Sequence, residues 1–385
     1  MTARDDEHFV AGGRFDPYAV DTLSSEQERY YMASQWRLMW WKFRRHKLAF
    51  VSGLILAALY ASILISEIIA PYNLHSRNTD FIYAPPQVVH LFHEGRFVGP
   101  FVYPYRAHLD LDTFRRDYKV DASAPQPLRF LCRGDGYDWL GLVHTDLHLV
   151  CPPENGTLFL LGTDKLGRDL FSRMIYGARI SLTIGLVGVA ISFALGLFFG
   201  GIAGYFGGIV DAGVQRLIEV VRSLPELPLW LALSAALPPN WSPLLIFFGI
   251  TVILGLLDWP GLARAVRGKL LALREEDYVQ AAELMGASPT RVIGRHLIPN
   301  FMSHLIASAT LSIPTMILGE TALSFLGLGL RPPVTSWGVL LNEAQNLAAV
   351  QLYPWLLLPV LPVLVTVLAF NFMGDGLRDA ADPYH

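Results

Sequence analysis

Long apolar stretches are the feature of this sequence that most restricts its fold. Runs of about 20 mostly apolar residues recur along the chain, and the first extends from Leu48 to Ala70. A helix needs about 20 such residues to cross the hydrocarbon core of a bilayer, which is about 30 Å thick. Only 16% of the 385 residues are charged, whereas soluble proteins usually have about 25%. The sequence therefore predicts an all-α, polytopic membrane protein.

Six segments are predicted to span the membrane. They share a high apolar content and cover about 48–70, 179–205, 209–237, 242–258, 301–325 and 351–373. Basic residues precede the first span at Arg44–Lys47 and recur in the predicted loop 259–300, and both clusters mark the cytoplasmic side. Six spans then place both termini in the cytoplasm. No cleavable signal peptide is predicted, because the first apolar run begins only near Leu48.

These spans divide the chain into four predicted parts. The parts are a cytoplasmic segment with an interfacial helix (1–47), the first span (48–70), an extended periplasmic insert of β-rich or irregular structure (71–175), and a transmembrane core (176–385) with its cytoplasmic loop (259–300). Both cysteines of the chain, Cys132 and Cys151, lie in the insert. An oxidising compartment favours a disulfide between them, and two free buried thiols are the alternative.

Several predicted spans contain residues that are unusual in a membrane. Small residues recur at every fourth position in and after the second span, at Gly188, Ser192, Gly196, Gly200, Gly204 and Gly208. Such a stripe predicts close approach of another helix. Glu219 and Arg222 in the third span are candidates for an internal ion pair at the cytoplasmic mouth, and Pro225 predicts a kink there. Glu320 is either a residue of a translocation path or a structural group bonded to the backbone of a neighbouring span.

The cytoplasmic loop has the local chemistry of two short helices joined by a sharp turn. Acidic residues precede Gln280 as they do at helix starts, and Gly286 stands where a left-handed C-cap belongs. Ser288 followed by Pro289 is typical of a second helix start. The pair Ala281–Ala282 predicts a bare helix surface that could dock into a groove. An ordinary connecting loop is the alternative.

The spacing within this loop resembles the EAA motif of ABC importer permeases. That pattern is Glu-Ala-Ala, three residues, Gly, nine residues, then Ile-x-Leu-Pro. Here it is met by Ala281, Ala282, Gly286 and Pro299, and Gln280 and His296 depart from it. In that family the loop docks on an ATPase subunit. The resemblance therefore implies coupling residues at Asp277, Gln280, Ala281, Ala282, Gly286, Ala287, Ser288 and Pro299.

Other segments resemble the dipeptide and oligopeptide branch of this family. They are Leu161–Leu182, Leu323–Gly329 with Ser336–Gly338, and Gly374–Pro383, and the resemblance covers about 36–72 and 160–385. It implies the type I ABC importer fold in a bacterial inner membrane, with peptides as cargo. Oligosaccharides, opines and nickel are alternative cargoes within the class. Arg168, Arg173 and Arg179 are expected at a gate edge or as interface anchors, where they face headgroups or a binding protein.

The resemblance also implies what this chain works with. The expected partners are a second homologous permease subunit, two ATPase subunits, a periplasmic solute-binding protein and membrane lipid, and no nucleic acid. ATP and Mg are expected on the ATPase subunits and no cofactor on this chain, because the sequence lacks the Gly-x4-Gly-Lys-Ser/Thr pattern. The residues expected at the translocation pathway or gate are Glu320, Glu219, Arg222 and Arg168.

Two other classes of protein remain as alternatives. In a membrane-embedded hydrolase, His144 and His148 could bind a metal, but this spacing needs a helix and a third ligand, so no metal site is predicted. An ion channel or secondary transporter would not need a docking loop. Co-purification with an ATPase would separate both alternatives from an ABC importer.

Overall fold

The computed structural model describes residues 32–111, 115–139, 141–154 and 156–381. The α-helices are α1 (Gln35–Arg45), α2 (Lys47–Leu64), α3 (Ser66–Ile69), α4 (Leu170–Phe206), α5 (Gly208–Arg222), α6 (Glu226–Ala235), α7 (Pro243–Leu273), α8 (Asp277–Leu284), α9 (Pro289–Arg291), α10 (Met302–Phe325), α11 (Trp337–Asn342), α12 (Leu347–Leu352) and α13 (Val360–Ala381). The strands are β1 (His90–His93), β2 (Arg96–Val102), β3 (Tyr105–Asp110), β4 (Arg115–Val120), β5 (Gln126–Pro127), β6 (Arg129–Trp139) and β7 (Val143–Cys151). A π-helical segment, Val292–Leu297, and a 3-10 turn, Ile298–Phe301, join α9 to α10.

Five helical segments in the described part of the chain are long and apolar enough to cross a membrane. They are Lys47–Leu64, Leu170–Phe206, Pro243–Leu273, Pro289–Phe325 and Pro354–Ala381. The predicted span 209–237 is not among them, because it is divided into α5 and the apolar α6, which has only 10 residues. The division falls directly before α6, where Pro225 adopts an extended conformation and cannot continue α5.

Two helices extend beyond the predicted spans. The helix α4 begins at Leu170 where 179 was predicted, and α7 continues to Leu273 where 258 was predicted. The connection that was predicted to be a cytoplasmic loop at 259–300 therefore begins at Arg274. Apolar content marks where a helix leaves the bilayer, but the helix itself continues as long as its backbone hydrogen bonds can form within it.

The segment between α3 and α4 contains β-structure, as the prediction of a β-rich or irregular insert between an all-α first span and core had it. The described residues of this segment form three antiparallel sheets, with strand orders β1-β2-β5, β3-β4 and β6-β7. A disulfide joins Cys132 of β6 to Cys151 of β7. Alternating short stretches rich in aromatic and β-branched residues favour strands over helices here.

The two ends of this β-segment are bonded to each other. The backbone N–H of Gln87 donates to the carbonyl of Phe159 at 2.8 Å, and the backbone N–H of Phe159 donates to Oε1 of Gln87 at 2.7 Å. Next to them, the N–H of Thr163 donates to the carbonyl of Ala84 at 2.9 Å. The chain thus leaves and re-enters the helical part at adjacent points.

Glycines allow α4 to pack closely against α7. A methyl group added at Gly200 would lie 2.6 Å from the carbonyl oxygen of Ala263, and one at Gly204 would lie 2.8 Å from Cβ of Leu270. At these positions the backbones approach so closely that no larger residue fits. The predicted stripe ends at Gly204, because Gly208 already belongs to α5.

We predict that Gly200→Ala lowers the thermal stability of the purified protein, whereas Gly201→Ala does not. A methyl group at residue 200 meets the α7 backbone, and such overpacking costs about 1–3 kcal/mol. A methyl group at residue 201 meets only Ile293 at 3.8 Å, which is an ordinary contact. Melting temperatures of the two variants in the same detergent measure the difference. Equal melting temperatures would contradict the inferred close contact.

Candidate coupling surface and buried charge clusters

The connection between α7 and α10 consists of α8, a turn, and a second helical segment. Gly286 in the turn has a φ angle of +83°, in the left-handed region that glycine adopts without strain. The backbone N–H of Ala287 donates to the carbonyl of Ala282 at 3.1 Å and closes the end of α8. Residues from Pro289 onward are helical again and lead into α10. The loop is therefore a helix–turn–helix.

The two faces of α8 have different environments. Val279 and Ala282 are buried, with Val279 in an apolar cluster that includes Val292 and Leu297. Ala281 is exposed. Successive residues on a helix point about 100° apart, so Ala282 can lie on the inner face while Ala281 lies on the outer face. The prediction that Ala281 and Ala282 together form a docking surface is thus wrong for Ala282.

Large apolar side chains are exposed at the end of α8. Leu284 is 89% exposed and Met285 is 82% exposed. Clustered apolar groups on a surface are typical of interaction sites. We define the coupling surface as the exposed residues Asp277, Gln280, Ala281, Leu284, Met285, Gly286 and Ser288. Sequence reasoning missed Leu284 and Met285, although two large apolar residues directly before a C-cap glycine were a usable signal.

The helix α8 is bonded to both of the long helices beside it. The hydroxyl of Tyr205 in α4 donates to Oε1 of Glu283 at 2.8 Å. The side-chain amide of Asn300, just before α10, donates to the hydroxyl of Tyr278 at 2.5 Å. A displacement of α8 would therefore be transmitted to α4 and α10.

The other predicted coupling residues lie at different places along the connection between α7 and α10. The side-chain amide of Gln280 donates to the carbonyl of Glu275 at 3.1 Å, within its own segment. Ala287 is half-buried, and Pro299 is exposed in the 3-10 turn before α10. Pro299 thus lies apart from α8, at the entry to the next long helix.

Arg168 and Arg173 lie in a buried ion-pair cluster at the start of α4. Nε of Arg168 lies 2.6 Å and Nη1 of Arg173 lies 2.5 Å from Oδ2 of Asp164. Both guanidinium groups also lie 3.1 Å from Oε1 of Glu343. The expectation that these arginines face headgroups or a binding protein is wrong. Two buried cations need two buried anions nearby, and this pairing keeps all four groups inside the protein.

Asp169 adds a further buried carboxyl at the same end of α4. Its Oδ2 accepts a hydrogen bond from the backbone N–H of Ser172 at 2.7 Å and so caps the helix. Burial raises the pKa of Asp169 to about 7, and the negative charge of Asp164 contributes in the same direction. Burial therefore favours the protonated form of this carboxyl more than it does for an exposed aspartate.

Two other predicted charge positions have unexpected partners. Arg179 pairs with Glu67 of α3, with 2.8 Å between its Nη1 and Oε1 of that carboxylate. Glu219 pairs with Arg216 at 2.9 Å, and both side chains are more than half exposed. The predicted Glu219–Arg222 pair does not form. On a helix, Glu219 can reach a partner three residues earlier or three residues later. The spacing in the sequence therefore could not decide between Arg216 and Arg222.

Glu320 is completely buried in α10 and is surrounded by hydroxyl groups. Ser324 and Ser336 donate to its Oε1 at 2.7 and 2.6 Å, and Ser181 of α4 donates to its Oε2 at 3.1 Å. The serine oxygens in turn accept backbone N–H groups, including that of Trp337 at the start of α11. The bonding partners are side chains rather than helix backbone. In this structure Glu320 is an internal bonding centre and does not face an open path.

The two histidines considered as metal ligands have other partners. Nδ1 of His144 lies 2.9 Å from Oδ1 of Asp138. The ring nitrogens of His148 bond to the carbonyls of Ala70 and Asp135 at 2.7 and 2.9 Å. Among the residues that the structure describes, no group of three or more His, Cys, Asp or Glu could hold a metal ion.

Comparison with known proteins gives matches along most of the chain. The family model "Binding-protein-dependent transport system inner membrane component" matches residues 196–384, and "N-terminal TM domain of oligopeptide transport permease C" matches residues 34–86. The dipeptide transport system permease protein DppC of Lactococcus lactis is 33% identical over 350 residues, which are 89% of each chain. The oligopeptide transport system permease protein OppC of Haemophilus influenzae is 41% identical over 223 residues, which are 58% of this chain and 69% of that protein.

One solved structure with partial similarity is the inward-facing MetNI methionine ABC transporter. Its matching chain has 18% sequence identity and a TM-score of 0.41, over 55% of this chain and 97% of that chain. A TM-score at this level does not define a common fold.

We predict that Glu320→Ala lowers the stability of the protein far more than Glu320→Gln does. Alanine leaves three buried hydroxyl groups without their acceptor, at a cost of about 1–3 kcal/mol for each unsatisfied group. Glutamine keeps an oxygen acceptor for Ser324 and Ser336, and its amide can donate to Ser181. Thermal unfolding in detergent measures both variants. An equal loss of stability in the two would show that the serine bonds are not the important contact.

Proposed function

The chain belongs to the family of binding-protein-dependent transport system inner membrane components, in its dipeptide and oligopeptide permease branch, and we propose that it forms half of the translocation pathway of an ABC importer. The other half would come from a second homologous permease subunit. The observation that carries this proposal is the coupling surface, because the exposed Leu284 and Met285 beside Ala281 have the features of a docking site.

We propose a topology with both termini in the cytoplasm. The basic run Arg44–Lys47 before α2 and the basic residues at the end of α7 support this orientation by the positive-inside rule. In a six-span arrangement, α5 and α6 would together provide the remaining crossing. The β-segment would then lie in the periplasm, where the Cys132–Cys151 disulfide is favoured.

Two ATPase subunits are the proposed source of work. They would bind ATP and Mg, and one of them would receive the coupling surface. Since Gln280 is neutral and bonds within its own segment, docking would depend on shape and apolar contact more than on an ion pair. Movement of α8 would be carried to α4 through Glu283 and to α10 through Tyr278. Alternating access would follow from rocking of these helices.

The predicted pathway residues divide into two groups in this proposal. Glu320 and Arg168 would act by fixing the extracytoplasmic ends of α4 and α10, because both are buried among internal partners. Glu219 and Arg222 remain the candidates for the cytoplasmic mouth, because both lie on α5 outside the buried core.

Peptides are the proposed cargo, delivered by a periplasmic solute-binding protein. Two of the similar relatives are named as dipeptide and oligopeptide permeases. Oligosaccharides, opines and nickel are the alternatives within the same class of importer. The binding protein encoded with this chain would distinguish them, since substrate selection would take place before the permease is reached.

We predict that Ala281→Trp lowers ATP-dependent uptake of a labelled peptide in the reconstituted importer by about tenfold or more, equivalent to about 1.4 kcal/mol of lost docking energy. The indole would stand on the exposed face of α8 and hold the ATPase subunit away. Ala272→Trp is the matched control, because Ala272 is exposed on the last turn of α7, outside the coupling surface.

The readouts are peptide uptake and the amount of ATPase subunit that co-purifies. Both should fall for Ala281→Trp and remain near the unsubstituted level for Ala272→Trp. Equal behaviour of the two variants would contradict docking at α8. If the unsubstituted importer takes up an oligosaccharide or nickel and no peptide, the coupling proposal would stand and the cargo proposal would fail.

We also predict that residues 89–157 can be replaced by a short glycine linker without loss of complex assembly. The hydrogen bonds between Gln87 and Phe159 already hold the two ends together, so the linker has little distance to cover. Uptake should fall if the segment contacts the binding protein, while the ATPase subunits should still co-purify. Loss of the ATPase subunits from the complex would contradict a peripheral role for this segment.

A further inference from the structure

A cleft of about 900 Å³ opens between the end of α1, the start of α2 and the end of α13. Four of the residues that line it can carry a positive charge, and one carries a negative charge. The residues that can be positive are Lys42, Arg44, Arg45 and His46, and the negative residue is Asp379. This imbalance makes the cleft attractive to an anion.

The arginines of this cleft are available to a ligand. Arg44 and Arg45 are exposed, and neither makes an ion pair or hydrogen bond with a residue in the described part of the chain. Guanidinium groups bind phosphate oxygens with two parallel hydrogen bonds, which gives such contacts both strength and orientation. Two adjacent unpaired arginines are therefore a suitable receptor for a phosphate group.

His46 provides a further donor, and its orientation is fixed. Its Nδ1 accepts a hydrogen bond of 3.2 Å from the backbone N–H of Ala49 and so caps the start of α2. Since Nδ1 is the acceptor, the proton of the neutral ring is on Nε2, which is free to donate. His46 can thus add a hydrogen bond to a bound anion without becoming charged.

The position of α1 places this cleft at a membrane interface. Phe43 and Met39 pack against Leu377 and Ala380 of α13, so that α1 is held on the helical bundle. On its outer side, Trp36 is 56% exposed and Trp40 is 51% exposed, which is typical of a helix whose aromatic rings lie at the level of lipid headgroups.

The cleft is at the same end of the bundle as the coupling surface. A methyl group at Gly376 would lie 2.2 Å from Cβ of Ala49, so the end of α13 meets the start of α2. A methyl group at Gly374 would lie 2.6 Å from Leu311 of α10, and Arg378 of α13 interacts electrostatically with His304 near the start of α10, just after the coupling loop. This end faces the cytoplasm in the proposed topology.

We propose that the cleft between α1, α2 and α13 binds the phosphate of an anionic phospholipid headgroup, with Arg44, Arg45 and His46 as donors. The acyl chains would extend along the apolar surface of α2, where Val51 and Leu54 are exposed. The lipid would bridge α1 to the bundle. This site is separate from ATPase coupling, and only the choice of the cytoplasmic leaflet rests on the proposed topology.

The test compares two double variants of the complete importer in nanodiscs that contain equal parts of phosphatidylglycerol and phosphatidylcholine. Arg44→Gln with Arg45→Gln removes the cleft cations. Arg264→Gln with Lys269→Gln removes two exposed cations from α7 at the same end of the bundle and is the matched control. After extraction into mild detergent, native mass spectrometry counts the retained phospholipid.

Retained phosphatidylglycerol should fall by about tenfold in the cleft variant, as expected from the loss of charge-assisted hydrogen bonds, and should stay unchanged in the control. Phosphatidylcholine should be retained equally by both. The same loss in both double variants, or an equal loss of both lipids, would overturn the proposal. Displacement of the lipid by millimolar inorganic phosphate would assign the site to a soluble phosphate. A rise in retained lipid after removal of residues 2–24 would assign it to the acidic N-terminal segment of the chain.

Discussion

The close contact between α4 and α7 is the constraint on which the rest of the structure depends. Because Gly200 and Gly204 let the two backbones touch, α4 is held directly against α7. The partners of α4 are then spread from one end to the other. Its start bonds Asp164 and Glu343 through Arg173, its middle reaches Glu320 through Ser181, and its end reaches α8 through Tyr205. A single helix therefore connects the charge cluster at its start with the coupling surface at its end.

The parts of this arrangement that sequence could predict are those set by local spacing. Apolar length identifies the helices that cross the membrane, glycine spacing identifies the packing face of α4, and the turn chemistry around Gly286 identifies the end of α8. Each is a property of a few neighbouring residues. The helix end at Leu273 was missed because hydropathy reports the edge of the bilayer, and the inward direction of Ala282 was missed because it depends on which side of α8 packs on Val292.

Partners that are distant in sequence were the least predictable. Arg173 was expected at a surface because its partner Glu343 is distant in the sequence. Glu320 is likewise surrounded by serines from three different segments of the chain. A lone charge in an apolar stretch indicates that a partner exists, because an unpaired one would be too costly. Which partner it has depends on how the helices are arranged. The sequence can therefore predict that such charge clusters exist, but it cannot predict which residues form them.

The bonded junction between Gln87 and Phe159 has a consequence for how proteins of this kind can diversify. When the rest of the structure holds the two ends of an inserted segment together, the entropic cost of closing that segment rises only slowly with its length. Residues can be added, removed or exchanged between these points while α2 and α4 keep their places. The junction is thus a permissive site for grafting, where recombination could install a foreign domain or an affinity handle on one face of the molecule and leave its moving parts untouched.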